Sequence, residues 1–337
     1  MIEKDGEVYV KAEEKTLKAQ RRQPYGKCTV KGQEEVVVVG GGSACFGVIE
    51  GLRTNGFTGK ITVLSAEPSP PFDRTKLSKA MLSDVSKLEM RSISALADAG
   101  IEFLAKTEVT AVDTTKKTVT TKAGKSYGYT KLVLATGGAP NRLPLEGLKG
   151  DLGNVFTLRY LTDVKDITAA IGDKGGKKIT VIGSSFIGME AAYCLVGKGH
   201  EVTVIGTESV PLERVLGKEI GKIIQTNATK AKINVLMDAT VEKGSPSSSN
   251  PKMIGSVGLK GGKTIECDLV ILGVGVKPAT AFLKENSSFK LLKDQSLEVD
   301  ETFQVKGLKD VYAAGDIATY PYHGPGASKG GSPVRIE

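Results

Sequence analysis

One pattern occurs twice in this sequence: a short apolar strand signal, a glycine turn, a helical stretch and a second strand ending near an acid. Two copies predict an α/β protein built from two Rossmann-like dinucleotide-binding domains, each a three-layer arrangement around a parallel sheet. The first copy runs from Glu35 to Glu67 as EVVVVGGGSACFGVIEGLRTNGFTGKITVLSAE, and the second from Lys177 to Glu208 as KKITVIGSSFIGMEAAYCLVGKGHEVTVIGTE. Their second strands align as ITVLSAE and VTVIGTE, and the interval from Gly42 to Glu67 equals that from Gly183 to Glu208. An internal repeat of this kind is far more informative than one glycine motif.

The elements follow in order. In residues 1–34, DGEVYV reads as a turn and a strand, and KAEEKTLKAQRRQ as a charged connector. Val36 to Val39 form a uniform β-branched run, as in a parallel strand buried on both faces. Gly40 permits the tight turn, and Gly42 lets the backbone approach a pyrophosphate. The helix then begins at Ser43 and Ala44, so its free N–H groups and dipole face that anion. Position 45, where a third glycine is expected, is Cys45, a small residue where helix packs on strand. Glu67, after the second strand, suits a ribose diol. PSPPFDRTKLSKAML is a Pro-rich loop leading into a helix. Helical and strand signals continue to Val119, and a turn at 123–126 precedes the strand Lys131 to Ala135, which ends in Thr136, Gly137 and Gly138. Pro140 and Pro144 mark an exposed crossover.

In the second copy, Ile179 to Ile182 is the buried strand, followed by Gly183, Ser185, Phe186, Ile187 and Gly188. Ser185 replaces the middle glycine and slightly crowds a pyrophosphate. Gly206 stands where the strand-ending acid is expected, with Glu208 two residues later and no arginine until Arg214. Beyond it, GSPSSSNP at 244–251 reads as a polar loop, Asp268 to Leu272 as a strand, GVGVKP with Gly275 as a turn, and Asp310 to Ala314 as a strand before Gly315 and Asp316. The tail HGPGASKGGSP is loop-like.

Composition narrows the function classes. The chain has 337 residues, 40% hydrophobic and 25% charged, the profile of an ordinary globular protein of two or three domains. No apolar run is long enough to span a bilayer, and MIEKDGEVYV lacks the apolar core of a secretory signal. The net charge of +8 is spread over scattered lysines with no aromatic–basic cluster, which argues against nucleic acid. Cys28, Cys45, Cys194 and Cys267 lie far apart, with no C-x-x-C pair, and His200 and His323 alone make no metal site. A reducing, cytoplasmic setting follows.

Taken together, the sequence resembles the pyridine nucleotide–disulfide oxidoreductase-type flavoproteins from Glu35 to Glu337. PPFDRTKLSK resembles a stretch of oxygenase-system ferredoxin reductases and apoptosis-inducing-factor-like proteins; the closest likeness is to the branch carrying a Rieske domain in front. LVLATGG and VYAAGDIA match further FAD-contacting motifs, and GSSFIGMEAA and GVGVKP match NAD-domain motifs. The resemblance implies an FAD domain over 35–158 and 279–337, an NAD(P)H domain over 159–278 inserted within it, and residues 1–34 as the tail of a Rieske-like domain or a leader. It also implies that the family continues beyond Glu337 with a helix and a mainly β interface domain of roughly a hundred residues. These 337 residues alone would then bind FAD weakly and expose an apolar patch.

The resemblance also assigns residues. Gly40, Gly42, Ser43, Ala44, Glu67, Arg74, Lys79, Val109, Ala135, Thr136, Gly137 and Asp316 would contact FAD. Asp316 would accept hydrogen bonds from the ribitol, with a helix N-cap as its ordinary role. Arg74 would neutralise phosphate or stack on adenine, with a surface ion pair as the plain alternative. Gly183, Ser185, Phe186, Ile187, Gly188, Glu208 and Gly275 would contact the nicotinamide dinucleotide. Glu208 favours NADH, with NADPH as the alternative donor. Lys79 beside the flavin, Glu190 paired with it and Phe186 against the ring would be the catalytic group; their plain alternatives are a solvated lysine, an exposed helix residue and core packing. The implied activity is hydride transfer from NAD(P)H to FAD, then single-electron delivery to an iron–sulfur acceptor, a fused or separate Rieske or ferredoxin protein. The absence of the family's redox cysteines supports an external acceptor. A monomer or homodimer is expected. The competing reading is a slow apoptosis-inducing-factor-like signalling flavoprotein with an acidic partner and a mitochondrial association.

Overall fold

The computed structural model describes residues 2–5, 7–9, 13, 26–324, 326–328 and 332–335. β1 (Ile2–Lys4) and β2 (Glu7–Tyr9) form a small antiparallel hairpin, which includes the strand expected in DGEVYV. The charged connector lies outside the described residues except for Glu13.

The first repeat is β3 (Glu35–Val39), α1 (Ser43–Thr54) and β4 (Lys60–Leu64). α2 (Thr75–Ala80), α3 (Ile93–Asp98) and β5 (Ile101–Leu104) follow. β6 (Val109–Asp113), β7 (Thr118–Thr121) and β8 (Ser126–Gly128) make a separate antiparallel sheet, and β9 (Lys131–Leu134) returns to the parallel one. That three-stranded sheet is more regular than the sequence suggests, because its short strands alternate too weakly to announce themselves.

β10 (Gly138–Pro140) leads away to β11 (Val155–Thr157), α4 (Leu161–Ile171), β12 (Lys178–Ile182), α5 (Phe186–Gly197), β13 (Glu201–Ile205), α6 (Glu213–Lys230) and β14 (Asn234–Leu236). β15 (Val241–Pro246), β16 (Ile254–Leu259) and β17 (Thr264–Glu266) form a second antiparallel trio, after which come β18 (Leu269–Leu272) and β19 (Val276–Pro278). The chain then closes with β20 (Leu297–Glu298), β21 (Val311–Ala313), β22 (Ala318–Tyr322) and β23 (Ser332–Arg335).

The two parallel sheets have matching plans, β21-β9-β3-β4-β5 and β11-β18-β12-β13-β14. Val36 and Val38 bury one face of β3 against Cys45, Phe46 and Ile49 of α1. Val37 and Val39 bury the other against Val112 and Val119 of the antiparallel trio. In the second unit Ile179 and Val181 meet α4 and α5, while Ile182, Val270 and Leu272 meet Val257 and Leu259. Each unit is therefore three layers, and continuous apolar strands are required because both faces are covered.

Several elements depart from the sequence reading. The equal-interval alignment pairs Gly42 with Gly183, but the structure pairs Gly40 with Gly183: each directly follows the first strand and has φ +109°. Both helices have 12 residues, so the two-residue offset falls in the shorter link between α5 and β13. Gly244 to Pro246, read as loop, belong to β15, where Gly244 packs against the Gly147 backbone. Ser332 and Pro333, read as loop-like tail, start β23. No helix starts at Asp316; the strand β22 begins at Ala318. β11 pairs with β18 of the second sheet, so 155–157 sit with that unit and not with the first. The chain passes between units through the antiparallel ribbon of β10 and β19.

Asp310 ties the layers together. It accepts hydrogen bonds from Lys117 Nζ and Lys131 Nζ, both at 2.7 Å, and these hold its carboxyl down at about 2. A depressed carboxylate stabilises the fold above its unfolded range and loses that contribution as pH falls through its folded value. The denaturation midpoint followed by circular dichroism should therefore drop between about pH 4 and pH 2. Asp310→Asn should make that drop shallower.

Candidate nucleotide-binding cleft

Each glycine turn lies at the carboxyl end of its first strand, at the point where strand order reverses in its sheet. A Cβ on Gly40 would lie 2.2 Å from the Ala135 carbonyl oxygen, so only glycine fits between β3 and β9. A Cβ on Gly183 would likewise lie 2.3 Å from the Gly273 carbonyl oxygen, and one on Gly188 would lie 2.0 Å from the Gly183 carbonyl oxygen. Gly42 is different: a Cβ there would meet nothing within 4 Å. Gly42 caps α1 and Ser185 caps α5 without any side-chain cap bond, and neither helix has an acid in its first turn. In the first unit, open space beside uncapped N–H groups and a positive dipole end fits the pyrophosphate of a dinucleotide, and α5 presents the same uncapped N–H groups in the second. Ser185 Oγ turns back to donate to the Gly273 carbonyl at 3.2 Å.

A Gly/Ser exchange relates the two turns. In the first unit Gly41 leaves room for Ser65, whose Oγ would be 2.5 Å from a Cβ on residue 41. In the second unit Ser184 occupies the first position and Gly206 the other, again with 2.5 Å between Ser184 Oγ and a Cβ on residue 206. One hydroxyl fills the same gap from opposite sides. Gly206 therefore stands in place of the expected acid because Ser184 has taken its space.

Around the first turn, Gly315 packs on Ala44, at 2.9 Å from a Cβ to the alanine methyl, and brings Asp316 to Gly137 and Gly138. Thr136 Oγ1 donates to the Ala279 carbonyl at 2.9 Å and fastens the crossing ribbon. Asp316 Oδ2 accepts from Arg159 Nη2 at 2.7 Å. Arg74 Nη2 donates to Glu67 at 2.5 Å, and Arg74 Nη1 donates to the Arg159 carbonyl. Glu67, Arg74, Arg159 and Asp316 thus form one charged cluster. Arg159 was not singled out from sequence: its segment, TLRYL, carries no motif, and only the need of Asp316 for a cation points to it. Ser43 is exposed at the start of α1, Ala135 is buried, and the Val109 side chain lies in the core, where it is closed to a ligand.

α2 of the first unit packs against α5 of the second. There Lys79 Nζ donates to Glu190 Oε1 at 2.8 Å and Ser78 Oγ to Glu190 Oε2 at 2.6 Å. Ser78 is a second partner the sequence reading did not include. Phe186 is 48% exposed and so is not core packing. It lines an open cleft of about 440 Å³ with Lys79, Glu190, Tyr193, Leu212 and Ile224. Ile187, one residue on, is partly buried against the α4–α5 core, and Gly275 has φ +84° in the turn before β19. Glu208 is met by Arg214 Nε at 2.9 Å.

All four cysteines are free thiols. Burial pushes the Cys45 and Cys267 thiols up to about 12 and raises Cys194, so none of these three favours the thiolate. Among the described residues no group of three or more metal-ligating side chains is present, and no helix is long and apolar enough to cross a membrane.

Known proteins share this architecture. Human apoptosis-inducing factor 3 is 32% identical over 326 residues, covering 95% of this chain and 52% of its own. The chain thus spans about half the length of that relative. Monodehydroascorbate reductase 2 of Arabidopsis thaliana is 30% identical, covering 85% and 68%. Putidaredoxin reductase, solved as a covalent complex with putidaredoxin, superposes with a TM-score of 0.81 at 29% identity, over 91% of this chain and 72% of that one. A ferredoxin reductase from Rhodopseudomonas palustris gives 0.81 at 27%, over 90% and 72%. The family model for pyridine nucleotide-disulphide oxidoreductases matches residues 34–331. With its paired glycine turns and two three-layer units, the chain belongs to the pyridine nucleotide-disulphide oxidoreductase family.

Proposed function

We propose that this chain carries the nucleotide-binding part of an NAD(P)H-dependent FAD reductase that delivers electrons singly to an iron–sulfur protein. The carrying observation is the contact of Lys79 with Glu190 across the two units, at a cleft whose lining includes Phe186, the residue after the second glycine turn. FAD, when bound, supplies the conversion of a two-electron hydride donor into single-electron delivery. The unit built on β3 is assigned to FAD and the unit built on β12 to NAD(P)H. Gly42 and the start of α1 hold the pyrophosphate, Glu67 and Arg74 flank the adenosine, and Asp316 accepts hydrogen bonds from the ribitol while Arg159 neutralises it. Lys79 supplies positive charge beside the flavin, and Glu190, fixed by Ser78, orients that ammonium. Phe186 stands over the cleft as the aromatic that yields to nicotinamide. Likeness to the two ferredoxin-linked reductases supports an iron–sulfur acceptor.

The test has two arms. Denatured protein should release FAD, not FMN, into the supernatant, as read by chromatography. The FAD-loaded protein should then oxidise NADH with a one-electron acceptor. Failure to retain any FAD after reconstitution would sink the assignment of the first unit. Turnover only with a disulfide substrate would sink the choice of acceptor.

A further inference from the structure

The end of β13 carries a charge arrangement that bears on which donor is accepted. A carboxylate alone at this position would bind a ribose diol and repel a 2′-phosphate. Here the carboxylate is not alone. Arg214 Nε donates to Glu208 Oε1 at 2.9 Å. The arginine side chain is 78% exposed, so Glu208 is its neighbour without confining it. Its backbone, in contrast, is well placed. Leu212, at φ +58°, starts α6 and donates its N–H to the Ser184 carbonyl at 3.0 Å, which fastens the helix start to the glycine turn. The adjacent acid, Glu213, is engaged elsewhere: it accepts from Ser209 N at 2.9 Å and Ser209 Oγ at 2.7 Å and pairs with Lys218. Two hydroxyls, Ser184 Oγ and Thr207 Oγ1, each stand 3.4 Å from Glu208 Oε2. An acid at position 206 is barred, since a Cβ there would lie 2.5 Å from Ser184 Oγ and 2.7 Å from Met237 Cε.

We infer that Arg214 is a specificity-determining residue: it pairs with Glu208 when a 2′-hydroxyl is bound and turns to the phosphate when a 2′-phosphate is bound, so that this site accepts both NADH and NADPH. The inference rests on the assignment of the second unit to NAD(P)H. Glu208 supplies the acceptor for the diol, and Arg214 neutralises the repulsion that Glu208 would otherwise exert. A guanidinium released from one carboxylate to one phosphate exchanges like for like, so the change of partner is cheap.

Calorimetric titration of the FAD-loaded protein with ADP-ribose and with 2′-phospho-ADP-ribose tests this without any redox step. Wild-type affinities for the two should lie within about tenfold of each other. Arg214→Ala should weaken the phosphorylated ligand about tenfold or more and leave ADP-ribose within about twofold. Arg214→Lys should recover part of the loss, and Glu208→Gln should tighten the phosphorylated ligand. Because Arg214 is exposed, its contribution should shrink as salt rises. Equal effects of Arg214→Ala on both ligands would overturn the inference and leave the NAD(P)H site standing. So would a wild-type preference beyond about a hundredfold for ADP-ribose. If neither ligand binds, the inference falls together with the assignment on which it rests.

Discussion

Gly40→Ala is expected to destabilise the first unit by about 3–5 kcal/mol and to abolish FAD retention. Two costs combine. The backbone at φ +109° is one that a residue with a Cβ adopts only under strain, typically about 1–3 kcal/mol. The added methyl would also lie 2.2 Å from the Ala135 carbonyl oxygen and 2.6 Å from its carbon, so β3 and β9 would have to separate. That overpacking adds roughly another 1–3 kcal/mol. Gly42→Ala is the control. Its Cβ would meet nothing within 4 Å, and its φ is −90°. It should cost under about 1 kcal/mol in stability yet weaken FAD, because the methyl projects into the space a pyrophosphate needs. Urea unfolding and FAD titration of the two variants separate the role in the fold from the role at the ligand. If Gly40→Ala unfolds like the wild type, the close approach of the two strands is not what the glycine serves.

Lys79→Ala and Glu190→Ala should each slow reduction of bound FAD by NADH about tenfold to a hundredfold, with the fold preserved. A positioned charge beside developing negative charge is worth more than this in a closed site. Lys79 is half exposed at 51%, and solvent screens part of the effect. The two variants should differ in one respect. Removing Glu190 frees Lys79, and the Ser78 hydroxyl, whose residue is only 6% exposed, exchanges its 2.6 Å carboxylate partner for the longer contact with the Thr75 carbonyl at 3.3 Å. Thermal stability should therefore fall in Glu190→Ala and hold in Lys79→Ala. Glu190→Gln keeps an acceptor for Ser78 and should recover the stability but not the rate. Stopped-flow absorbance and a melting curve on the same samples decide it; wild-type reduction rates in both alanine variants would remove the pair from the mechanism.

Much of this molecule was legible in local patterns. The β-branched runs at 36–39 and 179–182, each followed by a glycine that turns the chain, identify β3 and β12 because sheet burial and positive φ impose those residue types on short segments. The family motifs named Lys79 and Glu190 together, and the fold brings them into contact. The misaligned repeat shows where such reading stops: an equal count of residues matched Gly42 to Gly183, while the φ angles and strand ends match Gly40 to it.

Other features depend on residues that meet only when the chain is folded. Arg159 and Asp316 are 157 positions apart, and Ser78 and Glu190 are 112 apart. No periodicity relates such pairs, because their contact depends on how α2 and α5, or β10 and β19, pack between two units. The Gly/Ser exchange at 41, 65, 184 and 206 is of the same kind. Composition reveals a serine and a glycine in each unit, but only the space shared between neighbouring strand ends makes one residue's hydroxyl the reason for the other's missing side chain.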